Sequence, residues 1–264
     1  MVSLLAPQMG VMRSFIDGQL RLSRALDRVL LPPEYGVDGS SEFYRSIVAP
    51  RLFRGATVYD VGGGRRACIP LETKRALALR VIGLDISESE LALAPAGSYD
   101  EVVCADVTRY EGRQEADIAV CETLLEHVRD NASAFRTLAG IVKPGGVLLV
   151  FVPSRRALFA RLNVILPEDV KRRLLFAVRP QSRGKQGFPA YYDRCTPAEF
   201  RALAQQNAFD VEEERLYWRS EYFAFFAPLY VAWRGWLLAS RAVLSDEAAE
   251  TFSLALRKRS PARS

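Results

Sequence analysis

Three carboxylates, each closing a short apolar run, are the first residues here whose type and spacing could do chemistry. Val58-Tyr59-Asp60-Val61 runs straight into Gly62-Gly63-Gly64. Glycines after a strand permit positive φ and let a ligand come close to the backbone, although such loops also serve dinucleotides and plain turns. Val81-Ile82-Gly83-Leu84-Asp85-Ile86-Ser87 is a second apolar run ending in an acid, and Asp85 lies 21 residues beyond Gly64. That matches the spacing of about 20 residues at which an acid reaches a ribose diol, and a carboxylate suits a diol because it only accepts hydrogen bonds. Glu101–Ala105 leads to Asp106-Val107, an acid that can take an adenine amino group beside an apolar residue that can pack on the ring. A fourth run, Asp117–Cys121, leads into Glu122-Thr123-Leu124-Leu125-Glu126-His127-Val128. His127 is the only histidine in the chain, and an imidazole can accept a proton at neutral pH. Its alternative role is to order the loop as a structural hydrogen-bonding group.

The elements that must position these residues alternate. Strands are expected at Thr57–Val61, Arg80–Leu84, Glu101–Ala105, Asp117–Cys121 and Val147–Pro153, with helical stretches at Leu71–Leu79, Glu88–Leu93 and Glu126–Val142 between them. Alternation of this kind implies a parallel sheet with right-handed crossovers and helices on both faces, with ligands outside the carboxyl ends of the strands. Two helices precede the sheet, at about Val11–Leu31 and Ser41–Leu52. Thr196, followed by Pro197, caps a helix reaching about Gln206, and Phe209–Trp218 reads as a late strand. The basic end, Arg257–Ser264, reads as frayed.

In residues 55–153 the sequence resembles the class I S-adenosylmethionine-dependent methyltransferases, of the type 11 kind. The resemblance is carried by DVGGG at 60–64, GLDIS at 83–87, AD at 105–106, LLEHV at 124–128 and VKPGG at 142–146, in that order. It implies an α/β fold, a doubly wound, mostly parallel seven-stranded Rossmann-like sheet with N-terminal helices and a helical lid insertion. It also implies S-adenosyl-L-methionine as cofactor. Asp60, Gly62, Gly63 and Gly64 would face its methionine part, Asp85 with Ile86 the ribose, Asp106 with Val107 the adenine, and the backbone near Cys121 the methionine amine. One departure stands out: the family usually has a further glycine two positions after Gly64, where this chain has Arg66, and Pro70 shortens the helix that follows. A dehydrogenase is the main competing use of the topology, but G-x-G-x-x-G would need glycine at Ala67, and the LEHV and KPGG motifs favour methyl transfer.

Glu126-His127 is also similar to the metal-assisted ubiquinone-biosynthesis O-methyltransferases, which carry another acid three residues before the Glu. That position is Thr123 here, with Glu122 one residue off. A pair lacking its third ligand is a poor divalent-metal site, so no metal is expected.

Residues 154–190 hold nine Lys and Arg against Glu168 and Asp169, interleaved with apolar residues. Such a lid could grip an anionic acceptor through arginine forks, rest on an anionic membrane surface, or present an ordinary solvated face. Tyr191, Tyr192 and Arg194 follow as candidate substrate contacts. Residues 222–244 are very apolar, but Pro228, Arg234, Gly235 and Arg241 argue against a membrane span and for a buried or interfacial helix. The four cysteines lack zinc or C-x-x-C spacing and read as reduced core thiols. The net charge of +5 does not demand nucleic acid, and no aromatic-basic platform for it is evident.

One domain over 1–264 is expected, with N-terminal helices (1–53), a cofactor-binding core (54–153), the basic lid (154–190) and a C-terminal part (191–264). The first functional expectation is O-methylation of a sugar hydroxyl in glycan or glycolipid biosynthesis. The alternatives are a quinone-like or lipid acceptor, or a non-catalytic nucleotide-binding protein. The expected setting is cytoplasmic or peripheral on the inner membrane face, with a small-molecule, glycan or lipid-linked acceptor as partner.

Overall fold

A computed structural model describes residues 5–165, 188–220 and 222–260, without the side chains of residues 5–13. Most of the expected basic lid, residues 166–187, lies outside the described residues. The chain divides into two compact units: residues 1–38, 156–187 and 217–250 form one, and residues 39–155, 188–216 and 251–264 the other.

The larger unit is built on a seven-stranded sheet. Its strands are β1 Thr57–Val61, β2 Arg80–Asp85, β3 Glu101–Cys104, β4 Ala116–Glu122, β5 Val142–Pro153, β6 Phe209–Tyr217 and β7 Thr251–Lys258, in the spatial order 3-2-1-4-5-7-6. Pairing is parallel from β3 through β5, and β7 runs antiparallel to β5. The central strands read as continuous apolar runs because both faces are covered: Val58, Tyr59 and Val61 of β1 and Leu148–Val150 of β5 are fully buried. Strand order reverses between β1 and β4, which opens the crevice where ligands bind in such sheets.

Helices α1 Leu5–Leu30 and α2 Gly39–Glu42 precede the sheet. The helix expected from Ser41 instead starts at Gly39 and passes into a π-turn at Phe43–Val48 and a 3-10 turn at Ala49–Arg51. The turn drives Phe43, Ile47 and Val48 into the core, with Phe43 stacked on Phe151 at 5.6 Å. Helix α3 Leu71–Ala76 is short, as Pro70 foretells, and α4 Glu88–Ala92 follows β2. Helix α5 Asn131–Ile141 begins later than expected, because Asp130 caps it by accepting the Ser133 N–H at 3.1 Å, while Leu125–His127 forms a separate 3-10 turn. After α6 Leu158–Ile165, helix α7 Pro197–Gln206 starts at its expected Thr196 cap. Phe135, Phe200 and Phe252 pack edge to face, tying α5 and α7 to β7.

Two expectations are corrected. Arg257 and Lys258 are not frayed but end β7: Arg257 pairs with Glu212, and the Lys258 ammonium donates to the carbonyls of Ala139 and Val142 at the end of α5. Cys104 is not a core thiol, because β3 is an edge strand and leaves it exposed; Cys121 and Cys195 are buried, and all four cysteines are free.

In the smaller unit, the apolar stretch forms α8 Ala227–Leu244. Its Arg234 is buried and saturated: Nε donates to Asp27 at 2.9 Å, and the two amino groups reach the carbonyls of Trp218 (2.7 Å) and Tyr35 (3.0 Å). A cation in an apolar helix is thereby paired rather than stranded. No helix of the described residues is long and apolar enough to cross a membrane.

Candidate functional site

The loop after β1 folds around its own carboxylate. Gly62 and Gly64 adopt φ of +79° and +49°, and the Gly62 N–H donates to the Leu84 carbonyl at 2.7 Å. Asp60 is 2% exposed; its Oδ2 accepts the Cys68 N–H at 2.7 Å and the Tyr99 hydroxyl at 3.3 Å. A Cβ on Gly63 would lie 2.6 Å from both the Asp60 carboxyl and the Tyr99 hydroxyl. Burial pushes the Asp60 carboxyl up to about 7 against these two hydrogen bonds, and the charges of Glu122 and Asp85 push the same way. Tyr99 is the residue that motif reading missed. It also packs where a Cβ on Gly83 would sit, at 2.9 Å, which accounts for the glycine of GLDIS. A single tyrosine in the turn before β3 carries no pattern that could have revealed it.

Asp85 ends β2 with Oδ1 accepting the Ser87 N–H at 2.8 Å. Its Oδ2 would be 3.2 Å from a Cβ on Gly64, so the absence of a side chain there keeps that oxygen accessible from the loop. Burial raises the Asp85 carboxyl above its ordinary range. Ile86 is 60% exposed, an apolar surface beside the acid, whereas Val107 is buried. Asp106 Oδ1 accepts the N–H and hydroxyl of Thr108, both at 2.8 Å, closing an Asx turn after β3. Cys121 is buried in β4, its backbone paired in register with Val150. Glu122 ends that strand and accepts the Ser40 hydroxyl at 2.5 Å. Arg66 is exposed, while its neighbour Arg65 pairs with Glu90.

His127 stands on the 3-10 turn after β4. Its Nδ1 contacts the Pro189 carbonyl oxygen at 2.9 Å. A carbonyl only accepts, so Nδ1 carries the proton and the neutral ring keeps its lone pair on Nε2. Nε2 lies 3.8 Å from Glu126 Oε1, beyond hydrogen-bond reach. Glu126 is buried with Oε2 unpartnered, and burial pushes its carboxyl up to about 8. The segment 189–195 is laced to this turn: the N–H groups of Tyr191 and Tyr192 donate to the Glu126 carbonyl, and Asn131 donates to the carbonyl and carboxylate of Asp193. Tyr192 and Arg194 take left-handed φ of +53° and +51°. Of the three expected acceptor contacts, Tyr192 is buried, Arg194 is exposed, and Tyr191 is exposed with the Arg129 guanidinium 4.4 Å above its ring.

A family model described as a methyltransferase domain matches residues 59–150. These include every expected cofactor residue. Residues 59–150 are a methyltransferase domain of the class I, S-adenosylmethionine-dependent kind. The methyltransferase domain is similar to the ubiquinone biosynthesis O-methyltransferases of Thiobacillus denitrificans (30% identity) and Pseudomonas paraeruginosa (32% identity), each over 166 residues. Those alignments take in 60% of this chain and 66% of each relative, just under two thirds of their length. A solved S-adenosylmethionine-dependent methyltransferase from Methanosarcina mazei superposes with a TM-score of 0.54 at 17% identity, covering 82% of this chain and 98% of that one, a likeness of fold.

The residues present fit the family's cofactor. Buried Asp60 with Glu122 and Asp85 nearby makes an electronegative cradle, and S-adenosylmethionine carries a sulfonium and an ammonium cation. Where a side chain on Gly63 would collide, backbone alone lines the loop. Asp85, whose Oδ2 lies against the Gly64 backbone where a side chain would crowd it, has the chemistry for a diol. Among the described residues no group of three or more His, Cys, Asp and Glu side chains is placed to hold a metal ion.

Proposed function

We propose that this chain methylates a hydroxyl of a quinone-like, phenolic small molecule, with S-adenosylmethionine as donor. The observation that carries it is the contact of His127 Nδ1 with the Pro189 carbonyl oxygen, which commits Nδ1 as a donor and leaves Nε2 to take the proton of an acceptor hydroxyl. A phenolic acceptor suits one histidine, since a phenol loses its proton far more readily than a sugar alcohol. The ubiquinone-biosynthesis relatives support this acceptor class over the sugar hydroxyl that sequence reading ranked first.

In this reading the bound cofactor supplies an electrophilic methyl group on a cationic sulfur. Asp60, Gly62, Gly63 and Gly64 hold the methionine end, with the backbone at Cys121 taking its amine. Asp85, with Ile86 beside it, accepts from the ribose diol, while Val107 flanks the adenine and Asp106 takes its amino group. His127 removes the acceptor proton. Tyr191 and Arg194 face the acceptor; buried Tyr192 instead fastens their segment to the Glu126 carbonyl. Alignment of acceptor and donor supplies much of the rate.

A turnover screen with isotopically labelled S-adenosylmethionine tests this. Catechol- and phenol-type quinone precursors should be labelled, and free sugars and lipid-linked glycans should not. Labelling of glycans alone would overturn the acceptor class. Absence of S-adenosylmethionine binding by titration calorimetry would overturn methyl transfer itself and leave the non-catalytic reading.

A further inference from the structure

Glu122 stands one position away from the place of a third metal ligand, and among the described residues no metal-holding group includes it. The sheet gives it a different neighbour. Asp60 of β1 pairs in register with Val120 of β4, and Glu122 lies two residues further along β4, so both acids project from one face of the sheet. Phe151, the register partner of Glu122 on β5, stacks on Phe43 at 5.6 Å, so the segment that follows α2 covers this face too. From α2, the Ser40 hydroxyl donates to Glu122 Oε1 at 2.5 Å and fixes its carboxylate. Cys68 lies beside both acids: its N–H donates to Asp60 at 2.7 Å, and burial first, then the charges of Asp60 and Glu122, push its thiol up. The chain turns out of the sheet at the next residue, where Thr123 takes a φ of +50°, a strained value for a β-branched side chain.

Two carboxylates on one face of adjacent strands repel each other unless a cation joins them. Among the described residues the chain supplies none: neither Asp60 nor Glu122 is in an ion pair with Lys, Arg or His. S-adenosylmethionine does supply one. Its ammonium sits at the methionine end, and the loop that receives this end is the one wrapped around Asp60. An ammonium has three protons to donate. The carboxylates of Asp60 and Glu122 and the backbone at Cys121, which lies next to Glu122 in β4, offer three acceptors at one place. The sulfonium, the cofactor's other cation, has no proton to give to a carboxylate that a hydroxyl has already oriented.

We propose that Glu122 is a second carboxylate for the ammonium of S-adenosylmethionine, shared with Asp60 and held in place by Ser40. The inference rests on the cofactor and not on the acceptor. Titration calorimetry of the full chain with three ligands tests it: S-adenosylmethionine, its demethylated product S-adenosylhomocysteine, and the deaminated form of that product, in which hydrogen replaces the ammonium. Glu122→Gln keeps the shape of the side chain and an oxygen for the Ser40 hydroxyl, so its melting temperature without ligand should stay at or above that of wild type. It should weaken the first two ligands about ten-fold, the worth of one charge-assisted hydrogen bond, and leave the third unweakened. Ser40→Ala, at an exposed position, should weaken the same two ligands by less. Equal loss for all three ligands would make Glu122 a structural support, and loss confined to S-adenosylmethionine would place it at the sulfonium. Undiminished binding of the first two would remove it from the site. Each of these results overturns the proposal. Wild type that binds none of the three would overturn the cofactor reading itself, and the proposal with it.

Discussion

The Nδ1 of His127 donates to the carbonyl oxygen of Pro189 across 2.9 Å, joining the turn after β4 to the segment that carries Tyr191 and Arg194. That hydrogen bond sets the tautomer of the proposed base and is one of several that place the chain beside it, with those from Tyr191, Tyr192 and Asn131. His127→Ala should lower kcat about 10²- to 10³-fold, the usual worth of a general base. Cofactor affinity, measured by calorimetry, should change little. A variant that turns over at near the wild-type rate would remove His127 from the chemistry and leave it as a tie for residues 189–195.

Asp60 predicts a proton linked to cofactor binding. Burial holds its carboxyl near 7, so at pH 6 most molecules carry it neutral, while a cationic ligand favours the ionised form. Affinity for S-adenosylmethionine should therefore rise about ten-fold from pH 6 to pH 8, with close to one proton released per binding event at pH 6. Calorimetry in buffers of different ionisation enthalpy reads that proton directly. Asp60→Asn should bind more weakly and lose the pH dependence; an unchanged pH dependence in this variant would place the titrating group elsewhere.

The parallel half of the sheet and its ligand-facing ends were legible because each is a local pattern: an apolar run, an acid, then glycine or a cap. Asp85, Asp106 and Thr196 stand where that pattern put them. What was not legible depends on partners distant in sequence. Arg257 and Lys258 look like a loose basic tail until Glu212 and the end of α5 are beside them. Arg234 looks like an interruption until Asp27, 207 residues away, neutralises it. Tyr99 and Cys68, which together hold the Asp60 carboxylate, share no spacing that a sequence alone exposes.

Gly63 predicts a steric failure rather than a conformational one. Its φ is not left-handed, so alanine is allowed by backbone, but the new Cβ would lie 2.6 Å from the Asp60 carboxyl and the Tyr99 hydroxyl. Both are packed, so the loop itself must move. Gly63→Ala should cost about 1–3 kcal/mol of stability in urea titrations and weaken S-adenosylmethionine about ten-fold or more. A fully stable variant with wild-type affinity would show that the loop does not rest on Asp60 as described.

Glu126 predicts how stability depends on pH. Its carboxyl is buried, with Oε2 unpartnered, and burial raises it to about 8, against about 4.3 in an unfolded chain. The folded state thus holds a proton that the unfolded state releases, and stability from this group is full below pH 4. It is lost progressively as pH rises toward 8. Glu126→Gln keeps the site neutral at every pH, so it should differ little from wild type at pH 4.5 and gain on it steadily above. By pH 8 the variant should be the more stable by about 2 kcal/mol or more. Asp60 and Glu250, also raised to about 7 by burial, titrate in both proteins and cancel in the difference. Paired thermal melts at pH 4.5, 6 and 8 check this, and a gap that stays constant with pH would mean that Glu126 is ionised in the folded chain.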